Sequence, residues 1–144
     1  MKFGVVQFPG SCDERDALFA ARRVGDAELL WHADHDLRGV DAVIIPGGFS
    51  YGDYLRVGAI ARFSPVMVEV DRFARSGGLV LGICNGFQVL CEAGLLPGAL
   101  LPNTSLRFVC RQVDVEVVNA GIPWTAGVEA GEVLSIPAKH TTGR

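Results

Sequence analysis

Short apolar runs alternate with amphipathic segments along the first hundred residues. Four runs are predicted to be buried strands: residues 3–8, 27–31, 41–45 and 79–83. Apolar residues at helical spacing follow the first run, and they also flank the last. Strands that are apolar throughout and alternate with helices are typical of a parallel sheet with helices on both faces. The pattern therefore predicts a three-layer α/β fold.

The predicted helices carry their own start signals. Ser11 and Glu14 have the spacing of a capping box, in which both side chains bond the first free amides of a helix. Ser64 followed by Pro65 is a second start, because proline suits the first position of a helix. A third helix follows residues 79–83 and continues to about Ala93.

Residues 108–118 have a different pattern, because apolar and polar positions alternate there. The two faces comprise Val109, Val113, Val115 and Val117 on one side, and Gln112, Asp114 and Glu116 on the other. Such alternation indicates a strand with one wet face, which is typical of antiparallel sheets. We therefore predict an α/β fold with a mostly parallel sheet and an added antiparallel section, in a single domain covering residues 1–144.

Composition and charge exclude several classes of function. Thirteen Lys and Arg stand against sixteen Asp and Glu, so the net charge of −3 argues against a nucleic-acid binder. No apolar run approaches the roughly 18 residues that a membrane span needs. The four cysteines form no C-x-x-C pair, which favours a reduced, cytoplasmic protein. Without further context, each is interpreted as a small buried apolar residue: Cys12, Cys84, Cys91 and Cys110.

The most informative motif is the segment Gly82–Gly86, which has the form G-x-[nucleophile]-x-G between a strand and a helix. Its glycines permit a strained turn that exposes the middle side chain, Cys84. At a helix N-terminus the free amides and the dipole favour thiolate over thiol. The backbone amide of Asn85 would then face the same space as an oxyanion donor. The alternative is a glycine-rich turn that happens to contain a buried cysteine.

A second glycine motif, Pro46-Gly47-Gly48, follows the strand at residues 41–45. Consecutive glycines at the carboxyl end of a strand allow a backbone amide to approach a ligand closely. Gly48 could supply a second oxyanion donor, although a plain turn explains the motif as well. His32 and His35 have a spacing that metal sites use, but no third ligand is evident, so we expect a solvated loop and no metal.

The pairing of P-G-G with G-x-C-x-G-x-Q at residues 82–88 resembles the class I, or triad, glutamine amidotransferases. Longer blocks resemble the glutaminase subunits of phosphoribosylformylglycinamidine synthase, namely PGGFSYGDYLR at 46–56, GICNGFQVLCEAGLLPGAL at 82–100 and N-x-S-x-R-F at 103–108. This resemblance implies a flavodoxin-like sheet and Cys84 as the nucleophile that attacks the carboxamide of glutamine. It also implies that the amides of Gly48 and Asn85 form the oxyanion hole and that Gln88 helps to position the substrate.

The resemblance also implies partners. Ammonia would pass to a large ATP-binding synthetase subunit. A small accessory subunit would belong to the same complex. With ATP and Mg that partner would convert formylglycinamide ribonucleotide to its amidine, in purine biosynthesis. This chain has no Walker-type phosphate loop, so we expect it to hold no cofactor of its own. The aromatic and charged segment Phe49–Arg56 is either a solvated loop or a contact with the synthetase.

The chain departs from the family in two respects. The family's catalytic histidine and glutamate belong to a His-Pro-Glu motif, whereas none of His32, His35 and His140 precedes a proline. After His140 the family usually has Gly-Glu-Gly, but here residues 141–143 are Thr-Thr-Gly. We therefore expect the chain to correspond to roughly the N-terminal two thirds of a glutaminase subunit, without its C-terminal catalytic segment, and to turn glutamine over poorly by itself.

Two alternatives to the glutaminase remain open at this point. One is a cysteine hydrolase or thiol sensor of the DJ-1/PfpI type, against which the PGGFSYGDYLR block argues. The other is an inactive scaffold that only docks to a synthetase. Labelling or turnover that depends on glutamine would separate the three hypotheses.

Overall fold

The computed structural model describes all 144 residues, and the chain divides into two units, Met1–Leu100 and Leu101–Arg144. The first unit contains a four-stranded sheet in the order β2-β1-β3-β4, with every pair of neighbours parallel. The strands are β1 (Lys2–Gln7), β2 (Asp26–Trp31), β3 (Ala42–Ile45) and β4 (Leu79–Gly82). The helices are α1 (Glu14–Ala21), α2 (Pro65–Arg75) and α3 (Asn85–Glu92). The parallel sheet predicted from the apolar runs is confirmed.

Helices cover both faces of this sheet. Successive side chains of a strand point to opposite faces, and accordingly Val5 and Val6 of β1 belong to two different core clusters. Val5 packs in the cluster that contains Ala21 of α1. Val6 packs in the cluster that contains Val70 of α2 and Val89 of α3. The predicted three-layer α/β architecture is therefore confirmed.

The strand order determines where a ligand can bind. Because β1 pairs with β2 on one side and with β3 on the other, the chain reverses direction across the sheet beside β1. In open parallel sheets, crevices form outside the carboxyl ends of the strands at such a switch point. The loops that follow β1, β3 and β4 leave from this edge.

The predicted capping box at Ser11 and Glu14 is wrong. The hydroxyl of Ser11 accepts a hydrogen bond from the amide of Phe8 at 3.0 Å, and no side chain caps α1. The amides of Cys12 and Asp13 donate instead to the carbonyl of Gly47, at 3.1 and 3.2 Å. A tertiary contact thus satisfies two amides just before α1, and the hydroxyl of Ser11 bonds the preceding loop and not the helix. At α2 the prediction holds, because Ser64 precedes it and Pro65 is its first residue.

The second unit is built on a two-stranded antiparallel sheet of β5 (Val109–Glu116) and β6 (Val133–His140). The predicted antiparallel strand is confirmed, with Val109 opposite His140 and Glu116 opposite Val133. Asn103 stabilises the end of this unit, because its side-chain amide donates to the carbonyls of Arg107 and His140 at 2.9 and 3.0 Å. The Nδ1 atom of His140 lies 2.9 Å from Oδ1 of the same asparagine.

Candidate active site

The turn between β4 and α3 holds Cys84 in an unusual backbone conformation. Its φ is 51° and its ψ is −108°, which a residue with a Cβ atom rarely adopts. The amide of Gly86 donates to the carbonyl of Ile83 at 2.8 Å and closes the turn. Any side chain at Gly86 would collide with the backbone carbonyl of Ile45. The glycine therefore allows α3 to begin close to the neighbouring strand, and Cys84 is exposed at the start of that helix.

The Pro46-Gly47-Gly48 segment lies beside this turn. A Cβ atom built on Gly47 would lie 3.5 Å from the Cβ of Cys84. Gly48 forms an antiparallel bridge with Ser11 and has a φ of 148°. A Cβ atom on Gly48 would lie only 2.6 Å from the backbone nitrogen of Cys12. Three loops thus meet at the carboxyl edge of the sheet, and glycines permit their close approach.

The side chain of Asn85 connects two of these loops. Its Oδ1 accepts hydrogen bonds from the backbone amide and the hydroxyl of Ser50, at 3.0 and 2.6 Å. Its Nδ2 donates to Asp53 Oδ1 and to Gln88 Oε1, each at 3.0 Å. Asn85, Ser50 and Gln88 are all buried. Gln88, expected to position a substrate, therefore has its side-chain oxygen inside this network.

The segment after Gly48 is held in a strained conformation. Tyr51, Asp53 and Leu55 all have positive φ values, of 54°, 53° and 70°. Burial raises the pKa of the Asp53 carboxyl, while hydrogen bonds from Asn85 and from the backbone of Gly58 oppose that rise. Strain of this kind persists only where surrounding contacts determine the conformation, and it is concentrated at functional sites.

Two further contacts hold this segment. The hydroxyl of Tyr51 lies 2.7 Å from Nδ1 of His32 and 2.9 Å from the hydroxyl of Ser64. Arg56 forms a bidentate ion pair with the carboxylate of Glu92 at the end of α3, with N–O distances of 2.6 and 2.7 Å. The hydrogen bond from Arg56 lowers the pKa of Glu92. His32 is therefore hydrogen-bonded to Tyr51, which in turn contacts Ser64. The protein contains no group of three or more His, Cys, Asp or Glu residues that could hold a metal ion.

Three of the four cysteines are exposed, whereas the simplest prediction had all four buried. Cys12, Cys84 and Cys110 are exposed, and only Cys91 is buried. The interpretation of Cys12 and Cys110 as buried apolar residues is wrong, because one lies in the loop before α1 and the other in a strand of the two-stranded sheet. Burial raises the pKa of the Cys91 thiol.

None of the helices combines the length and the apolar character that crossing a membrane requires.

A parallel α/β sheet with an exposed cysteine on a strained strand-to-helix turn is the architecture of the class I glutamine amidotransferases, as the resemblance implied. The chain belongs to the family of CobB/CobQ-like glutamine amidotransferase domains, whose model matches residues 1–144. This membership sets the chain apart from the DJ-1/PfpI alternative.

Among glutamine amidotransferases, this chain is similar in sequence to one group of subunits. The chain is 64% identical over 144 residues to the phosphoribosylformylglycinamidine synthase subunit PurQ of Rubrobacter xylanophilus, covering 99% of this chain and 66% of the relative. It is 60% identical over 145 residues to the PurQ of Salinibacter ruber, covering 99% of this chain and 62% of that protein. The chain thus spans slightly less than two thirds of the length of these curated relatives.

Solved structures agree with the fold. The structure of PurLQS from Thermotoga maritima contains a chain that matches with a TM-score of 0.94 and 44% identity, covering 99% of this chain and 68% of that one. Another glutamine amidotransferase from Thermotoga maritima matches with a TM-score of 0.64 at 14% identity, covering 99% of this chain and 61% of that one. At such low identity the second match shows the fold alone.

Ser50 and Asp53 belong to the site but were not predicted from the sequence to do so. Both lie in the PGGFSYGDYLR block, whose surplus of polar residues was the available signal. Their role depends on Asn85, which lies 35 and 32 positions away along the chain. No local pattern encodes such a contact.

Proposed function

We propose that this chain is a glutaminase that uses Cys84 as its nucleophile and delivers ammonia to a synthetase. The observation that carries the proposal is the exposed Cys84 at the N-terminus of α3, on a strained turn beside Gly47. The free amides and the dipole of a helix N-terminus favour the thiolate, which is the reactive form. Membership in an amidotransferase family supports glutamine as the substrate.

The chemistry proceeds in two steps. The thiolate of Cys84 forms a bond to the carboxamide carbon of glutamine, and the carbonyl electron pair moves onto oxygen. Backbone amides of Gly48 and Asn85 stabilise this oxyanion, and a single such donor contributes about 10²–10³-fold to the rate. The intermediate collapses to a thioester as its C–N bond breaks and ammonia leaves with the proton that the thiol released on forming the thiolate. Water then attacks the thioester, which releases glutamate and restores the thiol.

The names of the relatives support a partner for the ammonia. PurQ of Rubrobacter xylanophilus is named as a synthase subunit, and the Thermotoga maritima structure is of a PurLQS assembly. By analogy, this chain works in the cytoplasm with a large ATP-binding synthetase and a small accessory subunit. These convert formylglycinamide ribonucleotide to its amidine with ATP and Mg, and this chain itself holds no cofactor. The exposed Tyr54 and Leu55 of the Phe49–Arg56 loop are the contact that we assign to the synthetase.

Labelling with a diazo-ketone analogue of glutamine tests the nucleophile. We expect one adduct per chain, located at Cys84 by peptide mapping, and protection of Cys84 by free glutamine. Cys110→Ser is the matched control, because Cys110 is also exposed but lies outside the turn. Equal labelling of Cys12, Cys84 and Cys110 would contradict the assignment.

Reconstitution with the synthetase tests the whole reaction. The test uses a form extended by the family's His-Pro-Glu segment, because we expect the 144-residue chain to turn glutamine over poorly by itself. In that form Cys84→Ser should abolish synthesis driven by glutamine and leave synthesis driven by ammonia intact, because ammonia bypasses the thioester. Glutamine-driven synthesis that survives in Cys84→Ser would refute the mechanism. Synthesis that requires ammonia even when the extended form retains Cys84 would instead favour the inactive docking scaffold.

A further inference from the structure

The side chain of Asn85 uses its entire hydrogen-bonding capacity. A side-chain amide offers two acceptor positions and two donor hydrogens. Here the two acceptor positions receive the amide and the hydroxyl of Ser50, and the two hydrogens go to Asp53 and Gln88. The residue is 2% exposed. Its orientation is therefore fixed from four sides.

We propose that Asn85 is a positioning residue that couples the two halves of the oxyanion hole, an inference that rests on the proposed function. Its own backbone amide is one proposed donor. The other belongs to Gly48, two residues before Ser50. Since Ser50 is held through its backbone amide as well as its hydroxyl, the bond to Asn85 fixes the course of the main chain that leaves Gly48. One side chain thus determines the separation of both donors.

The partners of Asn85 determine which way its amide faces. The carboxylate of Asp53 and the side-chain oxygen of Gln88 accept from Nδ2, so Oδ1 must face Ser50. Asp53 lies in the strained segment with positive φ values at Tyr51 and Asp53. Such a conformation requires external support, and the hydrogen bond from Asn85 supplies part of it.

Two reactions of Cys84 distinguish positioning of the oxyanion hole from a merely structural network. Acyl transfer from a p-nitrophenyl ester at the γ-carboxyl of glutamate passes through an oxyanion and needs both donors. Alkylation by iodoacetamide displaces iodide from a carbon and forms no oxyanion. A positioning role therefore slows the first reaction selectively, whereas general damage to the turn slows both.

The test compares Asn85→Asp, Asp53→Asn and the double variant. In Asn85→Asp two carboxylates face each other, so we expect the burst of p-nitrophenolate to slow by about 10–100-fold, as a misplaced donor would cause. The limiting rate of alkylation at high pH, where the thiol is fully ionised, should stay within about twofold of the wild type, because that reaction forms no oxyanion. Comparing both reactions at this limit removes the effect that the new carboxylate has on ionisation of the thiol. The double variant exchanges donor and acceptor, so it should recover most of the lost acylation rate.

Asn103→Asp is the matched control, because Asn103 is also a buried, hydrogen-bonded asparagine but lies in the second unit. It should change neither rate. The proposal is overturned if Asn85→Asp slows both reactions equally, if it slows neither, or if the double variant fails to recover.

Hydrogen exchange of the Ser50 amide separates this proposal from the proposed function. If the ester does not acylate even the wild-type chain, the glutaminase assignment fails. The rate of hydrogen exchange at the Ser50 amide then still tests whether Asn85 fixes the main chain at Ser50. Faster exchange in Asn85→Asp with recovery in the double variant supports the coupling. Exchange that is unchanged in Asn85→Asp overturns it.

Discussion

Gly47 and Cys84 lie so close together that a Cβ atom added to Gly47 would stand 3.5 Å from the Cβ of Cys84. The two residues follow β3 and β4, which pair in parallel up to Ile45 and Gly82. The same added atom would also collide with the carboxylate of Asp13, from the loop after β1. The cysteine is thus surrounded by loops from three strands, and residue 47 lies between the side chains of Asp13 and Cys84.

Replacing Gly47 with alanine should affect reactivity more than stability. The carboxylate of Asp13 is the end of an exposed, flexible side chain and can move aside, but the added methyl group would still lie in van der Waals contact with Cys84. We expect acylation of Cys84 to slow by about tenfold or more, since small misplacements near a reacting atom have large effects. Stopped-flow acylation and a thermal melt measure the two effects. A large loss of Tm with unchanged acylation would contradict this expectation.

Gly48→Ala should instead destabilise the fold. The added methyl group would lie 2.6 Å from the nitrogen of Cys12 and 2.8 Å from the Cα of Ser11, and backbone atoms cannot rotate away. We expect a loss of about 1–3 kcal/mol in the free energy of unfolding, measured with urea. Gly77→Ala is the control, because Gly77 also has a positive φ but nothing lies near its Cβ position. Equal losses in the two variants would mean that the collision at Gly48 contributes nothing.

The strained backbone at Cys84 should lower the stability of the protein relative to a variant with glycine at this position. With a φ of 51° and a ψ of −108°, a residue with a Cβ atom is strained by about 1–3 kcal/mol, and glycine avoids most of this. The greater freedom of glycine in the unfolded chain offsets about 0.5–1 kcal/mol. We therefore expect Cys84→Gly to be more stable than Cys84→Ala by about 1 kcal/mol. Parallel urea titrations measure the difference, and a more stable alanine variant would argue against the strain.

Gly86→Ala should disrupt the contact between α3 and β3. Its methyl group would overlap the carbonyl of Ile45, and that carbonyl also accepts the amide of Ile83 at 2.9 Å. Overpacking of this kind destabilises by about 1–3 kcal/mol or more. Gly127→Ala is the control, since open space surrounds Gly127 and its φ is ordinary. The melting temperatures of both variants decide the matter, and indistinguishable values would refute the close approach.

The ion pair of Arg56 and Glu92 predicts a stability that depends on pH. The hydrogen bond from Arg56 holds the pKa of Glu92 below its ordinary value, although burial opposes this. A carboxyl with a lowered pKa in the folded state stabilises the protein above its ordinary pKa, and that contribution is lost as the pH falls through the folded value. Glu92→Gln should therefore lower the stability at pH 7, and the difference from the wild type should shrink below about pH 4.

Chemical denaturation across this pH range measures the contribution of Glu92. Glu69→Gln is the control, because Glu69 pairs with the exposed Arg72 on the surface of α2 and such pairs contribute little. A gap between wild type and Glu92→Gln that stays constant from pH 7 to pH 3 would contradict the assigned ion pair.

Local patterns in the sequence determined the framework of this protein. Apolar runs are sufficient to locate β1 and β3, since a strand buried on both faces needs apolar residues throughout. The apolar run at residues 79–83 also locates β4, although the residues of that strand are only partly buried. The alternation at residues 108–118 similarly indicated an antiparallel strand with wet positions, which the structure contains as β5. The segment Gly82–Gly86 indicated the turn that exposes Cys84, because few sequences other than those rich in glycine tolerate such a backbone.

Only the tertiary structure decided which polar groups meet. The amides of Cys12 and Asp13 bond the carbonyl of Gly47 and not the side chain of Ser11. Asn85 bonds Ser50 and Asp53, more than thirty positions away along the chain. Helices and strands repeat with a fixed period and so leave a pattern in the sequence. A hydrogen bond between distant side chains has no period, and it forms only where the packing of the sheet brings its loops together.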